Sequence, residues 1–159
     1  MKERIAIVPG SFDPITKGHL DIINKAAQSY DRVYVAVMIN PKKEYMFSIE
    51  ERERIAKACI DENKNVSVIS SDGWLWELAR DLGACAIVKG YRNDKDLVYE
   101  QEMAKFNSEH YPQAETILLK SDEELINVSS TLVRERLAAK LPIDDIVPEK
   151  AINIINELK

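Results

Sequence analysis

The sequence predicts an α/β protein with a Rossmann-like, five-stranded parallel sheet, helices on both faces and further helices appended at the C-terminus. Short apolar runs typical of buried strands alternate with amphipathic helical patterns along the chain. This alternation indicates right-handed βαβ crossovers and a parallel sheet that is covered on both faces. At 159 residues the chain is predicted to form a single domain, 1–159, with its own core.

Apolar and β-branched runs give the predicted strands, which are residues 5–8, 33–39, 66–69, 85–88 and 116–119. The helical patterns lie around residues 22–27, from 48 to about 60, over 74–82, from about 94 to 109, over 129–139 and from 148 onward. Ser48 and Glu51 form a capping box that begins the second of these helices. Gly83 is expected to end the third, and Pro148 to lie in the first turn of the last.

Composition and charge exclude several classes of protein. A net charge of −5 argues against a general nucleic-acid-binding protein, which carries a basic face. No run approaches the roughly 18 apolar residues of a membrane span, and the apolar stretch after Arg4 is too short for a signal peptide. Cys59 and Cys85 lack C-x-x-C spacing, so we expect buried thiols without a metal or disulfide role. These features predict a cytoplasmic protein with no nucleic-acid or membrane partner.

The segment 10–20 carries the strongest functional signal. It follows the first predicted strand and leads into the first helix, and Gly10 and Gly18 lack the Cβ that would keep a ligand at a distance. We expect the amides of residues 18–21, at the start of this helix, to face an anion. His19 projects its imidazole from the same turn. The pattern therefore predicts a site that handles nucleotide phosphates.

Other polar clusters also follow predicted strands. An acidic protein that binds phosphate must gather its cations locally. Lys42 and Lys43 follow the second strand, Lys89 and Arg92 end the fourth, and the hydroxyl-bearing residues 129–131 follow the fifth. Because the ligand crevice of an open parallel sheet lies beyond the carboxyl ends of its strands, we expect these groups to converge there.

Two of these clusters have a local pattern that fits an anionic ligand. Gly90 is expected to turn the backbone so that Lys89 and Arg92 both face one anion, with Arg92 offering a planar fork. One hydroxyl of residues 129–131 serves as an N-cap. The other hydroxyls exceed the needs of capping and fit an oligophosphate.

Several residues have an ordinary structural interpretation as well. A pair of exposed lysines is often only a solvated surface, and Glu100 has the spacing of a helix-surface charge. Trp74 and Trp76 are more typical of a core, although Leu75 between them is placed to contact an apolar part of a substrate. His110 has no partner pattern and is expected to be structural or exposed.

Specific motifs identify a family. Thr16-Lys17-Gly18-His19 has the form of the (T/H)xGH signature of nucleotidyltransferases, preceded by a matching Ser11-Phe12-Asp13-Pro14 loop. Further matching pieces are the lysine loop ending in Met46-Phe47, Gly90-Tyr91-Arg92 with Asp96 and Tyr99-Glu100, and the segment 129–133. With these pieces the chain resembles the bacterial phosphopantetheine adenylyltransferases over essentially its whole length.

The resemblance implies one nucleotidyltransferase domain over 1–159 that transfers the adenylyl group of ATP to 4′-phosphopantetheine by direct in-line displacement. The products are dephospho-coenzyme A and pyrophosphate. The resemblance also implies Mg²⁺ bound with ATP, coenzyme A as a feedback inhibitor, and a cytoplasmic homohexamer.

The resemblance assigns roles to residues by position. The implied catalytic residues are His19, Lys43 and Arg92. The implied substrate-binding residues are Ser11, Lys43, Leu75 and Lys89. The implied ATP-binding residues are Ser11, Phe12, His19, Gly90, Tyr91, Arg92, Glu100, Leu125, Ile126, Asn127, Val128, Ser129, Ser130 and Thr131. No metal ligand from the chain is implied.

The chain departs from the family pattern at three places. Lys89 stands where the family usually has Arg, residues 125–127 replace an aromatic-containing stretch, and Glu44-Tyr45 stands where a basic residue or Pro is frequent. Two alternatives remain open: another small (T/H)xGH transferase acting on nicotinamide mononucleotide or glycerol 3-phosphate, and a nucleotide-sensing module without turnover. An assay of pyrophosphate release separates the sensing module from the transferases.

Overall fold

A computed structural model describes residues 2–60 and 65–158. The two ends of the predicted domain, residues 1 and 159, lie outside the described residues. The strands are β1 (Ile5–Gly10), β2 (Arg32–Met38), β3 (Val66–Ser71), β4 (Ala86–Tyr91) and β5 (Glu115–Lys120). They form one parallel sheet in the order β3-β2-β1-β4-β5, which confirms the predicted fold class.

Helices connect the strands and follow the last one. They are α1 (Lys17–Ser29), α2 (Ile49–Ile60), α3 (Leu75–Leu82), α4 (Asp94–His110), α5 (Ser130–Ala138) and α6 (Glu149–Leu158). A short 3₁₀ helix, Glu123–Leu125, precedes α5 and was not predicted. Pro148 lies immediately before α6, where its carbonyl accepts the amide protons of Ala151 and Ile152. None of the helices within the described ranges is long and apolar enough to cross a membrane.

The period-2 alternation of side chains along each strand places apolar residues on both faces of the sheet. Ala6 and Val8 of β1 face the larger core cluster, into which α1, α2 and α6 pack. Ile7 of β1 and Ile87 of β4 face the smaller cluster, which α3 helps to cover. Since β1 lies between β2 and β4, the strand order reverses at its carboxyl end, which is where an open sheet forms its ligand crevice.

Helix ends follow the signals in the sequence. The capping box is confirmed: Ser48 N–H donates to Glu51 Oε1 at 2.9 Å, and Glu51 N–H donates to Ser48 Oγ at 3.1 Å. Gly83 ends α3 in the left-handed conformation, with φ of 66°. Cys59 and Cys85 are half-buried and pack against the larger core cluster, so the expectation that both are buried is met only in part.

Gly90 has a packing role that the sequence did not indicate. It lies inside β4, so the prediction that it turns the backbone between Lys89 and Arg92 is wrong. A Cβ added at Gly90 would lie 3.0 Å from Ile22 Cγ1 and 3.2 Å from Ile22 Cδ1. The absence of a side chain therefore lets α1 approach β4, and this close approach brings the start of α1 to the crevice.

We expect Gly90→Ala to lower the free energy of unfolding by about 1–3 kcal/mol, because the new methyl group overpacks Ile22. Urea unfolding measures the change. Gly73→Ala is the matched control, since a Cβ there would meet its nearest atom, Glu77 Oε1, at an ordinary 3.8 Å. The double variant with Gly90→Ala and Ile22→Ala should lose less free energy of unfolding than the sum of the losses in the two single variants. Equal losses in the two glycine variants would contradict the packing role.

Candidate active site

An open cavity of about 550 Å³ lies at the carboxyl ends of β1 and β4. It is lined by most of the residues that the sequence marked as site residues: Ser11, Phe12, His19, Lys43, Leu75, Lys89, Gly90, Arg92, Glu100, Val128, Ser129, Ser130 and Thr131. The remaining marked residues, Tyr91, Leu125, Ile126 and Asn127, are not among the residues that line it. Leu125 instead packs against the larger core cluster.

The imidazole of His19 is held by the residue that begins its helix. Thr16 N–H donates to His19 Nδ1 at 3.0 Å, and His19 N–H donates to Thr16 Oγ1 at 3.3 Å. This is a capping box in which histidine takes the place usually held by Glu or Gln. Because an amide can only donate, Nδ1 must carry a lone pair, and the proton of the neutral ring is on Nε2.

The protonation state of His19 follows from the same surroundings. Burial, and then the positive charge of Arg92, lower the pKa of His19 from 6.5 to about 4. At neutral pH the ring is therefore uncharged and offers Nε2–H as a hydrogen-bond donor. Thr16 is buried, and its orienting role was missed from the sequence, although a hydroxyl residue three positions before His19 was the available signal.

The ring of Phe12 also contacts the imidazole of His19. The Phe12 ring is buried and the contact is edge-on, with ring centroids 4.9 Å apart and an interplanar angle of 67°. Phe12 adopts a positive φ of 48°, which is a strained conformation for a residue with a side chain. A Cβ on Gly10 would lie 3.1 Å from the Phe12 ring. Gly10 therefore makes room for Phe12, and it lines the cavity as well.

The start of α1 presents fewer amides to an anion than the sequence predicted. His19 N–H donates to Thr16 Oγ1 and Leu20 N–H to the Thr16 carbonyl. Lys17, the residue before this range, is also bonded within the protein: its N–H donates to the carbonyl of Ile146, and its Nζ donates to the carbonyl of Asp144. The expectation that the amides of residues 18–21 all face a ligand is therefore wrong.

Of the lysine pair, one member reaches the cavity. Lys43 Nζ donates to Ser11 Oγ at 3.2 Å, which joins the end of β1 to the loop after β2. Lys42 is exposed and is held in a turn by its backbone, whose N–H donates to Asn40 Oδ1 at 3.0 Å. The carboxyl ends of the two strands thus place one ammonium and one hydroxyl side by side.

The other cations of the cavity are paired with carboxylates. Lys89 Nζ lies 2.7 Å from Glu100 Oε1, and Arg92 Nε lies 3.3 Å from Asp96 Oδ2. Glu100 is only 9% exposed, so its interpretation as an ordinary helix-surface charge is wrong. These pairs partly neutralise one side of the cavity, whereas Lys43 forms no ion pair with the residues that the structure describes.

The hydroxyl groups at the start of α5 have protein partners. Ser129 Oγ accepts the Leu132 amide at 3.1 Å, Ser130 Oγ donates to the Pro14 carbonyl at 2.8 Å, and Thr131 Oγ1 accepts from Arg134 at 3.1 Å. Ser129 caps the helix, so the prediction that three hydroxyls exceed the needs of capping is confirmed, although Ser130 and Thr131 also have protein partners. All three residues still line the cavity.

A buried carboxylate organises this side of the cavity and was missed from the sequence. Asp13 is 2% exposed, and its oxygens accept the amides of Met46 and Phe47 at 2.9 and 3.0 Å. Arg134 donates to the Asp13 carbonyl at 2.8 Å and lies 3.8 Å from its carboxylate. The sequence placed Asp13 in the loop before the (T/H)xGH signature but did not indicate its contacts, because nothing local marks a partner more than thirty residues away.

The start of α3 contributes an apolar side chain to the lining of the cavity. Leu75 lines the cavity, as the sequence allowed. Trp74 is 60% exposed, so its interpretation as a core residue is wrong. Trp76 stacks on His110 with ring centroids 5.1 Å apart, and the exposed His110 also contacts the Phe106 carbonyl through Nδ1.

The polar groups suit the stabilisation of negative charge better than the removal of a proton. His19 has its Nδ1 occupied by an amide proton, and Nε2 already carries the ring proton. Neither nitrogen is therefore available to accept a proton from a substrate in this state. Lys43 and Arg92 add positive charge around the same cavity.

Comparison with known proteins agrees with this geometry. Residues 7–136 match the cytidylyltransferase-like family, a range that includes every residue lining the cavity. The phosphopantetheine adenylyltransferase of Streptococcus gordonii is 43% identical over 96% of this chain and 93% of that protein. The chain belongs to the phosphopantetheine adenylyltransferase family. The proteins of that name from Alkaliphilus metalliredigens and Shouchella clausii are 40% and 37% identical, over 97% and 96% of this chain and 98% and 96% of their own lengths.

The pKa of His19 predicts a pH dependence of stability. Its folded pKa of about 4 lies below the unfolded value of 6.5, so the unfolded chain takes up a proton first as the pH falls. Stability should therefore decrease between pH 6.5 and about 4, with a contribution from His19 approaching about 1.4 kcal/mol per pH unit.

Urea unfolding at several pH values measures this contribution. His19→Gln should lose that part of the slope, because glutamine does not titrate. His110→Gln, at the exposed histidine, is the matched control for the change of residue type. If His19→Gln and the wild type had the same slope, the low pKa would be refuted.

Proposed function

We propose that the protein transfers the adenylyl group of ATP to 4′-phosphopantetheine and releases pyrophosphate and dephospho-coenzyme A. The observation that carries the proposal is the neutral His19, whose protonated Nε2 belongs to a cavity that also contains Lys43 and Arg92. Membership of the phosphopantetheine adenylyltransferase family supports this choice of substrates.

The proposed reaction is a direct displacement at the α-phosphorus of ATP. An oxygen of the acceptor phosphate forms a new bond to the α-phosphorus. The bond between the α-phosphorus and the oxygen that bridges the α- and β-phosphates breaks, and pyrophosphate leaves with that electron pair. A phosphate monoester, with a second pKa of about 6, is already largely dianionic at neutral pH. It therefore needs no general base, which fits a histidine without a free acceptor nitrogen.

The residues are assigned roles by their neighbours in the cavity. His19 donates Nε2–H to an α-phosphate oxygen and stabilises the charge that grows there in the transition state. Lys43 and Ser11, which already contact each other, bind the acceptor phosphate, and Leu75 contacts its apolar arm. Arg92 binds the polyphosphate of ATP with the start of α5. Lys89 donates to Glu100, and the remaining donors of its ammonium contribute to acceptor binding.

Mg²⁺ belongs to this proposal as an ion that accompanies ATP. Over residues 2–60 and 65–158, no group of three or more His, Cys, Asp or Glu side chains is arranged to hold a metal. Asp13, the buried carboxylate at the cavity, already accepts two amides. The residues fit an ion held by phosphate oxygens and water, which would neutralise charge on the leaving pyrophosphate.

The proposal extends to the setting of the enzyme. We place it in the cytoplasm, as a homohexamer under feedback inhibition by coenzyme A, with no nucleic-acid or membrane partner. A cavity that accommodates adenylyl and phosphopantetheine groups together is suited to a molecule that contains both. Exposed apolar side chains on α4, Val98 at 54% and Tyr99 at 59%, offer area that contact between copies would cover.

The identity of the acceptor is the first test. With ATP and Mg²⁺, we expect pyrophosphate release with 4′-phosphopantetheine and not with nicotinamide mononucleotide or glycerol 3-phosphate. A cavity that fits a long, partly apolar arm next to Leu75 leaves polar groups unpaired when a smaller acceptor enters. Comparable turnover with either other acceptor would refute the assignment, and no turnover with all three would favour the nucleotide-sensing alternative.

Substitution of His19 tests the mechanism. His19→Ala should lower kcat by about 10²–10³-fold while ATP affinity changes little, because the donor acts on charge that develops in the transition state. His19→Asn keeps a neutral N–H donor, so its kcat should fall less than that of His19→Ala. Single-turnover rates and ATP binding should be measured together, with His110→Ala as the matched control. A His19→Ala variant that binds ATP poorly but turns over normally at saturation would contradict this role.

A further inference from the structure

The position of Lys43 depends on the loop that carries it. The lysine loop, residues 40–47, connects β2 to α2. Lys43 Nζ contacts Ser11 Oγ at 3.2 Å, and within the described ranges no carboxylate forms an ion pair with it. A lysine ammonium on a flexible four-carbon stem is not oriented by such a contact alone. The backbone of the loop must therefore keep it near Ser11.

Tyr45 connects the two ends of the lysine loop and contacts two neighbouring cations. Its hydroxyl accepts a hydrogen bond from the backbone N–H of Asn40 at 2.9 Å, which joins the start of the loop to its later part. The guanidinium carbon of Arg52 lies 3.8 Å from the centroid of the Tyr45 ring, and Lys43 Nζ lies 5.8 Å from it. Both distances are within the range of cation–π attraction.

Arg52 gives Tyr45 a rigid surface to stack on. It is 2% exposed, and its guanidinium donates to the carbonyls of Phe47 at 3.2 Å, Ser11 at 2.8 Å and Met38 at 3.2 Å. These carbonyls belong to the end of the lysine loop, the segment after β1 and the end of β2. A side chain fixed by three separate segments holds the ring of Tyr45 in a defined place.

We propose that Tyr45 is a positioning residue for the adenylyl transfer, which keeps the ammonium of Lys43 next to Ser11. Its hydroxyl closes the lysine loop at Asn40, and its ring fixes the loop on Arg52 while attracting Lys43. Tyr45 thereby sets the affinity for the phosphate of the acceptor. The proposal rests on the proposed function, in which Lys43 and Ser11 bind that phosphate.

Steady-state kinetics with each substrate varied test this role. Tyr45→Leu removes the ring and the hydroxyl, and should raise the KM for 4′-phosphopantetheine about tenfold while the KM for ATP changes less than about twofold. Tyr45→Phe keeps the stacking and should have an intermediate effect. Tyr34→Phe on β2 is the matched control, because Tyr34 also lies beside an arginine, Arg32, at 6.0 Å. Equal changes in the two KM values would overturn the proposal.

A double-mutant cycle separates positioning from a general structural role. If Tyr45 acts through Lys43, Tyr45→Leu should have no further effect on the acceptor KM in a Lys43→Met background. Fully additive effects would overturn the proposal. Urea unfolding of each variant shows whether it folds; if Tyr45→Leu does not, Tyr45→Phe with Lys43→Met provides the same comparison.

Failure of the proposed function would give a different result. A wild-type protein that releases no pyrophosphate with 4′-phosphopantetheine refutes the transfer itself. Crystal structures of the wild type and of Tyr45→Leu then test the positioning of Lys43 directly. We expect the distance from Lys43 Nζ to Ser11 Oγ to exceed the limit of a hydrogen bond in the variant. An unchanged Lys43 would overturn the proposal.

Discussion

The reciprocal hydrogen bonds between Thr16 and His19 are the constraint on which the rest of the site depends. They begin α1, because the Thr16 side chain satisfies an amide that the helix leaves open. They also fix the imidazole, because the Thr16 amide can bond only to an unprotonated Nδ1. One pair of contacts thus determines where the helix starts, which nitrogen carries the proton, and which group faces the cavity.

Around this pair, the polar groups of the cavity largely satisfy one another. Lys89 is paired with Glu100, Arg92 with Asp96, and Ser130 with the Pro14 carbonyl. An ammonium has three N–H donors and a guanidinium has five, so Lys89 and Arg92 can keep these carboxylate partners and still donate to another anion. The carboxylates lower the net positive charge that such an anion would meet. Preformed pairs also keep Glu100, which is nearly buried, from remaining an unpaired charge.

The sequence predicted the sheet because buried strands and amphipathic helices leave periodic patterns, and it predicted the cavity because the carboxyl ends of parallel strands converge. It did not predict what depends on distant partners. Arg52 stands among Glu and Arg residues of α2 and resembles a surface charge, although it is buried by contacts with three segments. Gly90 resembled a turn residue, whereas its neighbour is Ile22 on a helix that precedes it by more than sixty residues.

The hydrogen bond from Lys17 N–H to the Ile146 carbonyl connects two segments that lie far apart in the sequence. The amide belongs to the helix that carries His19, and its acceptor is synthesised 129 residues later. During translation, β1, α1 and β2 emerge early and can pair locally, but this end of α1 lacks its carbonyl partner. Its last contact forms only after residue 146 leaves the ribosome. The site is therefore completed late in the synthesis of the chain.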